Sequence, residues 1–179
     1  MPLALVVVCL AWSSARSDES KPVALKPGDK APKFAGQTDE GKPWKSEDHV
    51  GEKILVVYFY PKDMTSGCTK QACSYRDLKE EFADQEVEVL GVSGDTVESH
   101  RQFKEKEDLN FTLLADPEGK IAKAFGVKLL AASPNIVTQR WTFVIDQDGE
   151  IAYKNEKVDA AKDAEEVLKV VEELQAKKS

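Results

Sequence analysis

The sequence predicts an α/β domain in which helices cover a largely parallel sheet, completed by an antiparallel hairpin and a last helix. Three observations predict it. Residues 54–60 (Ile-Leu-Val-Val-Tyr-Phe-Tyr) form an unbroken apolar run of seven, β-branched and aromatic, as suits a strand buried on both faces. Segments of strand and helix character then alternate along the chain. Near the end, residues 141–145 and 151–153 flank Asp146-Gln147-Asp148-Gly149, a strong hairpin signal.

Each element has its own justification. Residues 21–33 carry Pro22, Pro27, Gly28 and Pro32 and read as an extended arm entering the domain. Residues 34–44 suit a short hairpin around Asp39-Glu40-Gly41. Pro61 stops the apolar strand. Thr65 or Ser66 then caps a helix running to about Ala83, with Ala72, Tyr75, Leu78 and Phe82 facing inward. Residues 87–93 form a second strand, and Asp95-Thr96 caps a second helix to about Glu107. Residues 111–115 form a third strand, after which Asp116-Pro117-Glu118-Gly119 turns into a short helix through Ala124-Phe125. Residues 129–139 are the longest irregular stretch inside the domain and lead directly to Arg140. Residues 161–176 close the chain as an amphipathic helix with Ala164, Val167, Leu168, Val171 and Leu174 on one stripe.

A chain of 179 residues suggests one domain, long enough for a proper core. The net charge of −7 is spread over interspersed acids and bases without a basic patch, which argues against a nucleic-acid role. Residues 3–12 are an uncharged apolar run of ten, too short for a span of roughly 20 residues but suited to the apolar core of a secretory leader. Ser13-Ser14-Ala15 supplies small residues after it, although no Lys or Arg precedes it. The alternative is a buried N-terminal strand. The expectation is a signal peptide over residues 1–15, a linker over 16–24 and one domain over 25–179. The protein would then be exported, periplasmic or secreted, with its leader cleaved near Ala15 and no membrane attachment afterwards. Cys9 falls in this leader, which leaves Cys68 and Cys73.

Those two cysteines carry the chemistry. A free thiol has a pKa near 8.5, so only about 3% is thiolate at pH 7, and the thiolate is the nucleophile. Cys68 falls in the first turn of the predicted helix, where the dipole and unpaired N–H groups favour an anion, at the carboxyl end of a central strand. Cys73 follows five residues later. Residues so spaced in a helix have Cα atoms roughly 8.6 Å apart and point about 140° apart. A disulfide needs less than about 7 Å, so the pair cannot bond while the helix is intact. This weakens the alternative of a structural disulfide. A zinc site has little support, because His49 and His100 show no ligand spacing near the pair.

Pro61-x-x-x-Thr65-x-x-Cys68 resembles the active-site signature of the peroxiredoxins, and a second cysteine five residues on resembles their bacterioferritin-comigratory (Q-type) group. The resemblance extends through residues 91–95, 115–120 and 140–146 and covers about residues 25 to 175. It implies a thioredoxin-like fold, with a central mixed sheet flanked by helices and a peroxiredoxin N-terminal extension. It also implies roles. Cys68 would be the peroxidatic nucleophile and become a sulfenic acid. Thr65 would hold the peroxide, Pro61 would shield the site from water, and Arg140 would stabilise the thiolate and the departing oxygen. Each has a plainer alternative: Thr65 as a helix cap, Arg140 as a surface salt-bridge partner, Pro61 as a strand stop. Met64 and Ser66 depart from the Asp and Pro of many members, and Ser66 is expected to loosen the loop.

The function expected from this resemblance is an antioxidant thiol peroxidase acting on hydrogen peroxide or organic hydroperoxides. Cys73 would resolve the Cys68 sulfenic acid as an intramolecular disulfide, and a thioredoxin-like dithiol would reduce it. No cofactor or metal is expected, and a monomer is. Two rivals remain at this point. One is a thioredoxin-like disulfide oxidoreductase without peroxidase activity, which normally carries Cys-x-x-Cys. The other is a non-catalytic domain with a structural disulfide.

Overall fold

The computed structural model describes residues 23–131 and 136–178. The leader and most of the linker expected at the N-terminus lie outside the described residues. The chain opens with the hairpin β1 (Ala35–Thr38) and β2 (Pro43–Lys45), followed by a 3-10 turn at Ser46–Asp48. Then come β3 (Ile54–Phe59), α1 (Ser66–Asp77), α2 (Lys79–Asp84), β4 (Val87–Ser93), α3 (Val97–Glu107) and β5 (Thr112–Ala115). After them come α4 (Lys120–Ala124), β6 (Leu129–Ala131), β7 (Val137–Thr138), β8 (Trp141–Ile145), β9 (Ile151–Asn155) and α5 (Asp163–Lys178).

Seven strands make one sheet in the order β2-β1-β5-β4-β3-β8-β9. The expectation of a largely parallel sheet is corrected, because among the described strands only β3–β4 and β4–β5 pair in parallel. β1 returns antiparallel onto β5, and β8 runs back antiparallel along β3. The sheet is mixed and flanked by helices, the thioredoxin-like arrangement that the resemblance implies.

β3 shows why this region folds as it does. All six of its residues are buried. Leu55, Val57 and Phe59 enter one core with Leu90, Val92, Phe125 and Phe143. Ile54, Val56 and Tyr58 enter the other with Cys68, Ala72, Tyr75, Phe103 and Val167. The alternation of side chains along a strand thus places the helices α1, α2, α3 and α5 on the face that holds Cys68.

Two further expectations are corrected. The helix expected to reach Ala83 breaks at Leu78, whose φ of −100° and ψ of 20° separate α1 from α2. No Pro or Gly causes the break. The Arg76 carbonyl, which would accept from residue 80 in a continuous helix, instead accepts from Asn110 Nδ2 at 3.1 Å. The stretch over residues 129–139, expected to be irregular, contains the small antiparallel pair β6–β7. Its approach to the sheet needs Gly94, where an added Cβ would stand 2.2 Å from the Ile136 carbonyl oxygen.

Candidate active site

The strand-to-helix loop is built from the end of β3. Tyr60 N donates to Val92 O at 3.1 Å and continues the ladder by one residue. Pro61, half-buried, has no N–H to carry it further. Asp63 then ties the loop down from inside. Its carboxylate accepts from Tyr60 OH and Ser99 Oγ, each at 2.7 Å, and lies 2.9 Å from His100 Nδ1. Its backbone N–H donates to Asp95 Oδ2 at 2.9 Å. Burial pushes the Asp63 carboxyl up, but the bonds from His100, Tyr60 and Ser99 outweigh it and hold the group below its ordinary value. Met64 takes a left-handed conformation with φ of 58°, and Ser66 is the first residue of α1, a position that suits Pro.

Thr65 is the backbone cap of α1, with φ of −83° and ψ of 148° and no capping bond from its side chain. Its hydroxyl donates instead to Lys62 O at 3.1 Å, and its oxygen can still accept. Cys68 is the third residue of α1, 1% exposed, in a first turn that contains no acid to oppose an anion.

Arg140 comes in from β8's entry and faces this thiol. Its Nη2 stands 3.3 Å from Cys68 Sγ, and its Nη1 donates to Gln71 Oε1. A Cβ at Gly67 would lie 3.4 Å from Nη2, at the limit of ordinary van der Waals contact. Gln71, fully buried, passes the connection on: its Nε2 donates to Asp163 Oδ2 at 2.7 Å. The same oxygen accepts from Tyr75 OH at 2.7 Å and Thr142 Oγ1 at 2.8 Å. Burial pushes the Asp163 carboxyl up, against the bonds from Tyr75, Gln71 and Thr142.

Cys73 sits in the same helix, partly buried, and both cysteines are free thiols. Burial pushes the Cys73 thiol up; Arg76 opposes this, and Glu107 and Asp77 add to it. The helix is intact between the two cysteines, which is the state in which spacing forbids their bonding.

The structure therefore brings Cys68 and Arg140 into contact, with Thr65 and Pro61 in the loop immediately before. Sequence reasoning missed Gln71, Asp163 and the Asp63 cluster. Gln71 had a signal, since it lies three residues after Cys68 and so shares its helix face. Asp163 had none, since an acid opening a helix reads as an ordinary first-turn residue. A surface cavity of about 580 Å³, lined in part by Gln37, Thr96, Asp116 and Lys120, includes none of these site residues.

The AhpC/TSA family matches residues 27–154. Peroxiredoxin Bcp of Bacillus subtilis is 39% identical over 158 residues, which is 87% of this chain and all of that protein. Among solved structures, peroxidoxin BcpB of Mycobacterium tuberculosis has a TM-score of 0.79 at 32% identity, over 84% of this chain and 99% of that one. The bacterioferritin comigratory protein of Xanthomonas campestris, solved for its alkyl peroxide reduction activity, has a TM-score of 0.72 at 30% identity, over 79% of this chain and 91% of that one. These relatives correct the expectation of export with cleavage near Ala15. The Bacillus relative is matched along its whole length by 87% of this chain.

Proposed function

The chain belongs to the AhpC/TSA family, in its Bcp and peroxiredoxin Q group, and on that premise we propose that Cys68 is the peroxidatic cysteine and Cys73 its resolving partner. The chain is a thiol peroxidase that acts on peroxides and takes electrons from thioredoxin-like partners. The geometry of the site supports the finer assignment. The Cys68 thiolate attacks the nearer oxygen of hydrogen peroxide or an organic hydroperoxide, and the O–O bond breaks. Sulfur gives up two electrons and becomes a sulfenic acid, while the leaving oxygen takes a proton and departs as water or alcohol. Arg140 holds the negative charge on sulfur and then on the departing oxygen, where a directed cationic donor lowers the barrier most. The Thr65 hydroxyl holds the peroxide, and Pro61 keeps water back. Cys73 then attacks the oxidised sulfur, an S–S bond forms and water leaves. An external thioredoxin-like dithiol returns two electrons. The domain is taken as residues 25–179 and the protein as a monomer.

The observation that carries this reading is the Arg140 Nη2 to Cys68 Sγ contact of 3.3 Å at the start of α1. Cys68→Ser is expected to abolish peroxide consumption in a thioredoxin-coupled assay. Cys73→Ser is expected to stop at the sulfenic acid and proceed to the sulfinic acid, read by mass spectrometry of the intact protein. Turnover surviving in Cys68→Ser would refute the assignment. Reduction of insulin disulfides without peroxide would favour a thioredoxin-like reductase instead.

A further inference from the structure

The bond between Gln71 and Asp163 lies inside the segment that disulfide formation must unwind. Gln71 is between Cys68 and Cys73, and all three belong to one unbroken helix. Cα atoms five residues apart in a helix are roughly 8.6 Å apart, beyond the reach of about 7 Å that a disulfide tolerates. Bringing the sulfurs together therefore displaces Gln71. Its carboxamide is fully buried and committed at both ends, Oε1 to Arg140 and Nε2 to Asp163. Asp163 in turn holds Tyr75, two residues beyond Cys73, and Thr142 in β8. The far end of the unwinding segment is thus pinned to the sheet while the near end depends on Gln71. Asp163 Oδ1 is buried with no hydrogen-bond partner among the described residues, so losing Gln71 removes one of three donors from a carboxylate already short of them.

We propose that Asp163 is a positioning residue that latches the start of α1 through Gln71, favouring the peroxide step and restraining disulfide formation. The proposal rests on the Cys68–Cys73 assignment above. Latched, Gln71 holds Arg140 on the Cys68 sulfur. Unlatched, the guanidinium loses its support and the segment between the cysteines is free to unwind. One carboxylate thereby sets how long the sulfenic acid waits before Cys73 captures it. It also sets how exposed that acid is to a second peroxide.

Stopped-flow tryptophan fluorescence separates the two steps, with Trp141 next to Arg140 as the reporter. Asp163→Ala is expected to slow the peroxide phase and speed the resolution phase by roughly tenfold or more, the factor carried by one hydrogen bond to a charged group. The share of Cys68 over-oxidised at high peroxide is expected to fall. Asp163→Asn, which keeps an acceptor oxygen, should restore both rates in part. In a Gln71→Leu background, Asp163→Ala should add less to the resolution rate than it does alone, because both changes remove the same bond and only the Tyr75 and Thr142 bonds are left for it to remove. Opposite effects on two steps are what a merely weakened core would not produce. Should Asp163→Ala not fold, Asp163→Asn and Gln71→Leu decide by the same phases. A resolution rate unchanged or slowed in these variants overturns the latch. Absence of any peroxide-driven phase in the unmodified protein would instead overturn the Cys68 assignment, and the latch with it.

Discussion

Arg140 places Nη2 on the Cys68 sulfur and Nη1 on Gln71 Oε1, so one guanidinium serves the thiol and its own anchor together. A lysine ammonium is a point charge without that fork. Arg140→Lys is therefore expected to lower the second-order rate with peroxide by about 10²-fold, the usual loss for a directed donor at a developing charge. A near-normal rate would mean that charge alone suffices. Thr65 invites a different test. Its hydroxyl donates to Lys62 O and makes no cap bond, so Thr65→Val should cut the peroxide rate while the unfolding free energy shifts by less than about 0.5 kcal/mol. A large loss of stability would restore the capping role. At this scale the sequence was informative where chemistry is packed into a short run, from Pro61 to Cys73. It was silent on Asp163, which meets Gln71 across 92 residues and depends on how α5 docks.

At the scale of elements, apolar pattern and turn chemistry were legible and their limits were set from outside. β3 and the β8–β9 hairpin fall where the run at 54–60 and the Asp-Gly turn put them. The break between α1 and α2 was not legible, because Asn110 arrives from another part of the fold to take the Arg76 carbonyl. Nor was the direction of β8 beside β3, which no local residue encodes. Gly94 shows how closely the elements fit around the site. A methyl group there would meet the Ile136 carbonyl at 2.2 Å, and backbone cannot swing aside as a long side chain can. The segment that must give way is the one that delivers Arg140. Gly94→Ala is expected to destabilise the fold by about 1–3 kcal/mol, in the range of over-packing, and to lower the peroxide rate as well. Urea unfolding and stopped-flow kinetics on the same sample check both. A stable variant with impaired kinetics would place the effect on Arg140 alone.

Across the whole molecule, two buried carboxylates stand on either side of the start of α1 and answer pH in opposite senses. Asp63 is held below its ordinary value because its donors outweigh burial. Its folded pKa is depressed, so it contributes stability that is present above the unfolded pKa of about 3.9 and lost as pH falls through the folded value. Asp163 is pushed above its ordinary value because burial outweighs its donors. Its native form binds the proton more tightly than the unfolded chain, so stability declines as pH rises from about 3.9 through the folded value. The two substitutions should therefore separate in urea unfolding measured from pH 3 to pH 7. Asp63→Asn is expected to flatten the acid limb of the stability curve below about pH 4, since the group that must be protonated there is gone. Asp163→Asn is expected to leave that limb and reduce the decline above it, of which Asp116, also pushed up by burial, keeps a share. The same slope in both variants would mean that neither carboxylate governs the pH response. It would then lie with other groups, among them the buried Asp116, whose carboxyl burial also pushes up.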